Sequence, residues 1–227
     1  MKVSKRFKEI LKNVDTNKEY TFEEAIDILK NNSKVKFDET VELTVQLNVN
    51  PTKQDQNVRG VMLLPHGTGK KKRICVVAKG EKYKEAEGIE GIELKSPDEL
   101  VEEVQKGKID FDVLIATPDS MREISKLGRI LGPKGLMPNP KTGTITFEIK
   151  DVVEKYKKGQ FEFRVDSGGN LHIPVGKISF EKEKLLENIN TAMQIISQTR
   201  PASVKGTYIK KVCLSSTMGP GLRIKYP

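Results

Sequence analysis

Hydrophobic patterning changes character twice along this chain, and that change limits the folds open to it. Across residues 39–50, Val41, Leu43, Val45, Leu47 and Val49 are apolar and the residues between them are polar. Period-two alternation over that length describes a strand with one buried and one wet face, in an antiparallel or mixed sheet. The style returns after Gly159, where Phe161, Phe163 and Val165 alternate with polar and charged residues. Ser167-Gly168-Gly169-Asn170 is a hairpin turn signal, with Leu171, Ile173 and Val175 on the expected return strand. Between these ends, residues 73–78 and 111–116 are continuous apolar runs separated by helical patterns. Strands of that kind are buried on both faces and belong to a parallel sheet wrapped by helices.

The remaining elements fit this division. Residues 4–13 read as a basic amphipathic helix with Phe7, Ile10 and Leu11 on one face. Thr21-Phe22-Glu23-Glu24 is a capping box that starts a helix running to about Asn32. Residues 61–64, 208–214 and 222–225 read as further strands, and 181–198 as a long helix. In the middle, residues 80–88 read as a charged helix. Ser96 caps another with Pro97 in its first turn, Thr117-Pro118 opens a third, and 151–158 form the last. The expected fold class is therefore α/β with two domains. Residues 1–67 and 160–227 make an antiparallel-rich α/β domain from both chain ends. Residues 68–159 make an inserted doubly wound, Rossmann-like α/β domain. Two adjacent chain crossings, one rich in glycine at 67–69, are expected to act as a hinge.

Charge narrows the function. The chain of 227 residues carries a net +9, unevenly placed. Residues 1–67 hold 11 basic against 10 acidic side chains, whereas residues 160–227 hold 10 against 5. The last acid is Glu187; beyond it stand Arg200, Lys205, Lys210, Lys211, Arg223 and Lys225 with no opposite sign among them. A solvated surface normally mixes both signs, so a one-signed stretch with strand-like segments points to a phosphate-bearing partner. A second acid-free window, residues 124–147, carries Lys126, Arg129, Lys134 and Lys141 among three prolines and four glycines. It reads as a long, stiff loop, either a plain crossover or a nucleic-acid contact.

Several chemistries find no support. Gly67-Thr68-Gly69-Lys70 lacks the glycine five residues before Gly69 and the hydroxyl residue after Lys70 that a phosphate loop needs. His66 and His172, the two histidines, have no matching cysteine cluster, so neither a metal nor another cofactor is expected. No nucleophile motif flanks a serine. Cys75 and Cys213 sit in separate apolar runs and read as buried free thiols. Lys70-Lys71-Lys72-Arg73 reads as a phosphate contact or as the solvated lead-in to a strand. No apolar run approaches the ~18 residues of a membrane span, and residues 1–12 lack a signal-peptide apolar block, so the cytoplasm is the expected compartment.

The motifs, taken together, resemble a known family. Lys36-Phe37-Asp38-Glu39-Thr40-Val41-Glu42, Asp55-Gln56-Asn57-Val58-Arg59-Gly60 and Leu64-Pro65-His66-Gly67 are similar to blocks of the first protein of the large ribosomal subunit, in its bacterial form. So are Ala116-Thr117-Pro118-Asp119, Gly128-Arg129-Ile130-Leu131-Gly132-Pro133, Met137-Pro138-Asn139-Pro140 and Ser216-Thr217-Met218-Gly219-Pro220, all in family order. The resemblance implies a non-enzymatic protein of the mobile stalk that binds large-subunit ribosomal RNA, acts in release of deacylated tRNA from the exit site, and represses translation by binding its own messenger RNA. It implies a monomer when free.

The resemblance places RNA contacts at Lys36, Phe37, Thr40 and Glu42 and at Thr217, Met218 and Gly219. RNA is read by shape, 2′-hydroxyls and the shallow groove, which suits short polar side chains and close backbone approach. Lys5, Arg6, Arg164, His172, Lys205 and Lys210 are expected phosphate contacts of the same domain. Lys134 and Lys141 are candidate contacts for tRNA or a neighbouring protein. The rival class is a nucleotide-dependent enzyme built on the middle sheet, which predicts saturable nucleotide binding there.

Overall fold

In chain order the chain forms α1 (Lys5–Asn13), β1 (Glu19–Tyr20), α2 (Phe22–Asn32), β2 (Thr40–Leu47), β3 (Arg59–Met62), β4 (Ile74–Val77), α3 (Glu81–Glu87) and β5 (Ile92–Lys95). Then follow α4 (Pro97–Gln105), β6 (Val113–Ala116), α5 (Met121–Ile124), α6 (Gly128–Leu131), α7 (Ile149–Lys157), β7 (Phe161–Arg164), β8 (Asn170–Lys177), α8 (Lys182–Gln198), β9 (Ile209–Ser216) and β10 (Leu222–Ile224). This is a computed structural model, and it describes residues 4–15 and 18–226. The chain divides into two compact units, Met1–Gly69 with Phe161–Pro227, and Lys70–Gln160. The fold is mixed α/β, as the patterning requires.

The terminal unit is built on a five-stranded sheet in the order β1-β10-β9-β2-β8. Only the β1–β10 pair is parallel. Along β2 burial alternates strictly, with Val41, Leu43, Val45 and Leu47 inside and Thr40, Glu42, Thr44 and Gln46 outside. The inward residues join Leu29 of α2 and Leu185, Ile189 and Ile196 of α8 in one core. The capping box at Thr21 is present, its hydroxyl accepting the Glu24 N–H at 3.2 Å and the Glu24 carboxylate accepting the Thr21 N–H at 3.0 Å. Of the three apolar residues expected on one face of α1, Ile10 is buried but Leu11 is exposed.

The expected hairpin between β7 and β8 is not formed. β7 pairs instead with β3 in a separate antiparallel ribbon, Met62 opposite Phe161 and Gly60 opposite Phe163, while β8 pairs with β2. The turn signal still makes a turn, since Asp166 accepts the N–H groups of Gly168 and Asn170. The strands diverge because Phe161 and Phe163 bury with Met62 and Leu64 in the core.

The middle unit carries a parallel sheet in the order β5-β4-β6. All four residues of β4 are buried. Cys75 and Val77 face a core with Leu100 and Val104 of α4, Ile124, Leu127 and Leu131. Ile74 and Val76 face another with Ala86 of α3 and Ile149, Val153 and Tyr156 of α7. Continuous apolar strands thus serve two cores at once. The edge strand β5 carries no continuous apolar run, and the sequence reading passes over it. The glycine- and proline-rich window is also more ordered than a plain loop. Its first half forms helical turns from Ser125 to Leu131, whose Leu127 and Leu131 fill the core.

Candidate nucleic-acid interface

The first cluster of expected RNA residues meets at one end of β2. Beyond the last ladder pair, Val41 with Ser216, Thr40 and Thr217 lock together. The Thr217 N–H donates to the Thr40 carbonyl at 3.1 Å, and the Thr40 N–H donates to Thr217 Oγ1 at 3.0 Å. The resemblance places an RNA contact at Thr217; in the structure its hydroxyl oxygen also positions Thr40. Gly219 closes the turn by donating its N–H to the Ser216 carbonyl at 3.1 Å. A Cβ on Gly219 would lie 2.4 Å from Ser216 Oγ, so a larger residue there needs the Ser216 hydroxyl to turn away.

On this locked frame two large apolar side chains face solvent. Phe37 is 53% exposed and Met218 46%. Lys36 is exposed next to Phe37, and Glu42 lies on the outer face of β2, opposite Pro174 and Ser215. Arg6 of α1 donates to the Met218 carbonyl at 3.1 Å, so it holds the turn as well as adding charge. Lys5 beside it is exposed.

Sequence reasoning missed Lys177. It lies opposite Thr40 in the β2–β8 ladder, and its ammonium donates to Thr40 Oγ1 at 2.8 Å and to the Asp38 carbonyl at 3.3 Å. Its alkyl stem packs against Gly69, which has φ +72°; a Cβ there would stand 2.7 Å from Lys177 Cγ. Asp38 in turn accepts from the Ser179 N–H at 3.2 Å and the Ser179 hydroxyl at 2.6 Å. The sequence carried no signal for this, because strand pairing alone sets Lys177 beside Thr40.

The other expected residues lie elsewhere in the terminal unit. His172 is on the outer face of β8 opposite Thr44, with Nδ1 3.3 Å from Thr44 Oγ1 and Nε2 3.6 Å from Asp166 Oδ2. The backbone N–H of Asn170 is the main cause that holds the Asp166 carboxyl below its usual range. Arg164 is exposed on β7, directly opposite Arg59. Lys205 and Lys210 are exposed near the start of β9. Arg200 is exposed but folds back on its own loop, donating to the Val204 and Gly206 carbonyls at 2.9 Å each, and so shapes the loop that presents Lys205.

In the middle unit Lys134 and Lys141 are both exposed. Lys141 sits in a turn whose Asn139 side chain accepts the Lys141 N–H at 2.9 Å. Buried Thr142 and Thr144 stiffen that turn through the Asn139 carbonyl. The Lys70–Arg73 run is a solvated lead-in at Lys70, Lys71 and Arg73, which are exposed. Lys72 folds inward, donating to the Gln160 carbonyl at 2.8 Å and standing 5.4 Å from the Tyr156 ring centre. Burial lowers its pKa to about 8. Arg73 pairs with Asp112 at 3.3 Å. Both cysteines are free; Cys75 is buried and its thiol is pushed up to about 12 by burial, while Cys213 is half-exposed on the outer face of β9. Among the described residues no group of His, Cys, Asp and Glu is placed to hold a metal, and no helix is long and apolar enough to cross a membrane.

The ribosomal protein L1p/L10e family matches over residues 29–220. The chain is similar to the large ribosomal subunit protein uL1 of Thermosipho melanesiensis, with 54% identity over 224 residues, covering 98% of this chain and 96% of that protein.

Proposed function

The chain belongs to the ribosomal protein L1p/L10e family, and from that premise we propose that the Thr40–Thr217 frame is where its terminal unit grips RNA. At the coarser level the protein is a structural, non-enzymatic constituent of the large ribosomal subunit that binds ribosomal RNA, of the bacterial type and therefore cytoplasmic. The finer reading is ours. The terminal-segment unit binds a helix-and-loop element of large-subunit RNA and forms the mobile stalk. The stalk contacts deacylated tRNA as it leaves the exit site, with Lys134 and Lys141 as the cations offered by the middle unit. The free monomer binds a similar element on its own messenger and so represses its translation.

One observation carries the site assignment. Hydrogen bonds in both directions lock Thr40 to Thr217, and the locked frame leaves Phe37 and Met218 exposed. Exposed apolar groups on a rigid, polar surface suit ribose and base faces in a shallow groove. Gly219 admits close backbone approach, and Glu42 is an acceptor for a 2′-hydroxyl or an exocyclic amine. Lys36, Lys5 and Arg6 add phosphate attraction nearby; Arg164, His172, Lys205 and Lys210 add it elsewhere on the same unit.

The test is binding to a large-subunit RNA stem-loop transcript and to the protein's own messenger leader. Thr217→Ala with Met218→Ala is expected to weaken both by at least tenfold, with the melting curve near that of the parent. Unchanged affinity for the folded double variant rejects the site. Loss on ribosomal RNA alone, with the messenger leader unaffected, rejects the shared-site account of repression.

A further inference from the structure

The far end of β9 carries a second cationic site. Lys210, Lys211 and Arg223 line a cavity of about 130 Å³, with Glu19 as the acid on its wall. Lys211 lies two residues from Cys213, the direct partner of Arg223, so the two cations are diagonal neighbours on the outer face, roughly 7–8 Å apart at the backbone. Among the described residues none of the three cations forms an ion pair. Three cations against one acid, Glu19, which is the strand partner of Arg223, leave a net positive patch that attracts a polyanion.

A second feature adjoins this one. Tyr226 is 37% exposed. It lines the cationic cavity and also a neighbouring one walled by Gln194 and Gln198 of α8. An aromatic face between cations and side-chain amides has the three parts a nucleotide needs. They are charge for phosphate, a ring for stacking, and donors and acceptors for a base edge. Bases offer those edges only where they are unpaired.

We infer that this end of the sheet is a second RNA site of the terminal unit and takes an unpaired nucleotide. Lys210, Lys211 and Arg223 hold its phosphate, and Tyr226 stacks its base within reach of Gln194 and Gln198. The inference rests on the ribosomal RNA reading and extends it. The site lies about 17 Å along β9 from the Ser216 end, by strand rise, so one RNA can touch both.

The experiment is a salt titration of the full-length chain on the stem-loop transcript with its flanking single strands. Lys210→Gln, Lys211→Gln and Arg223→Gln together are expected to reduce the slope of log affinity against log salt by about 0.7, the share of one single-strand phosphate. They should also weaken binding more than tenfold near physiological salt. Replacing both lysines by arginine should keep the slope. Tyr226→Ala should cost roughly tenfold at unchanged slope, with Tyr226→Phe near the parent. Circular dichroism melts check that each variant is folded. A folded triple variant with parental slope and affinity overturns the second site, and an unaffected Tyr226→Ala overturns the base contact. Thr217→Ala with Met218→Ala, run in the same series, reports on the first site separately. Its loss beside an unaffected triple variant removes only the present inference.

Discussion

The two larger sheets of this chain handle their faces in opposite ways. The sheet of β1, β10, β9, β2 and β8 buries one face against α2 and α8 and leaves Thr44, His172, Cys213 and Arg223 outward on the other. The sheet of β5, β4 and β6 buries both faces, with consecutive residues of β4 serving separate cores. A half-open sheet offers a broad polar surface held by a rigid core. A covered sheet leaves only its loops and helix surfaces for partners. That difference explains why most RNA residues proposed here lie in the terminal unit, whereas Lys134 and Lys141 project from a stiffened loop.

The comparison is most exposed to core truncation. Leu114→Ala and Ile115→Ala, neighbours on β6 that enter opposite cores, should each cost about 2–5 kcal/mol in urea unfolding. In β2 the equivalent neighbours should split. Leu43→Ala should cost as much, whereas Thr44→Ala, on the open face, should stay within about 0.5 kcal/mol. Equal costs for Leu43 and Thr44 would mean that the outer face is covered.

A smaller effect should be shared by both units. Thr21 and Ser96 each start a helix with a reciprocal capping box. Thr21→Ala and Ser96→Ala should therefore each lower stability by about 1 kcal/mol. A large difference between them, read from the same melts, would show that tertiary packing rather than the cap sets one helix start.

The smallest effect separates the units again. Burial lowers the Lys72 pKa from 10.5 to about 8, so the unfolded chain binds the extra proton between those values. Stability from this group should then rise with pH through the window from about 8 to 10.5. The gain should be under about 1 kcal/mol, because the side chain is partly exposed and screened. Lys72→Met removes the titration, so the stability difference between parent and variant should change across that window and be flat below it. A flat difference throughout would place the ammonium in solvent.

Particular residues show how far the sequence could be read. The alternation in β2 assigned every side chain of that strand to its face, because a pleat has period two and nothing else competes. The capping boxes were legible because a cap is a contact within four residues. The partner of β7 was not. A turn at Asp166 favours a hairpin, but two phenylalanines gain more by burying beside Met62 and Leu64. β5 was missed because an edge strand needs little apolar character. Phe37 and Met218 stand exposed although apolar, and residue type alone carries no information about which end of a sheet lies open.

The sequence by itself determined the fold class, the contrast between the chain ends and the middle, and a cationic C-terminal stretch, because periodicity and charge are properties of neighbours along the chain. Only the tertiary structure decided what that stretch is made of. It folded Arg200 back onto its own loop and set Lys177 beside Thr40. It tied Thr217 to a residue 177 positions away. It left Lys210, Lys211 and Arg223 around a cavity. Those outcomes depend on strand register, and register is settled by which apolar faces meet across the whole core.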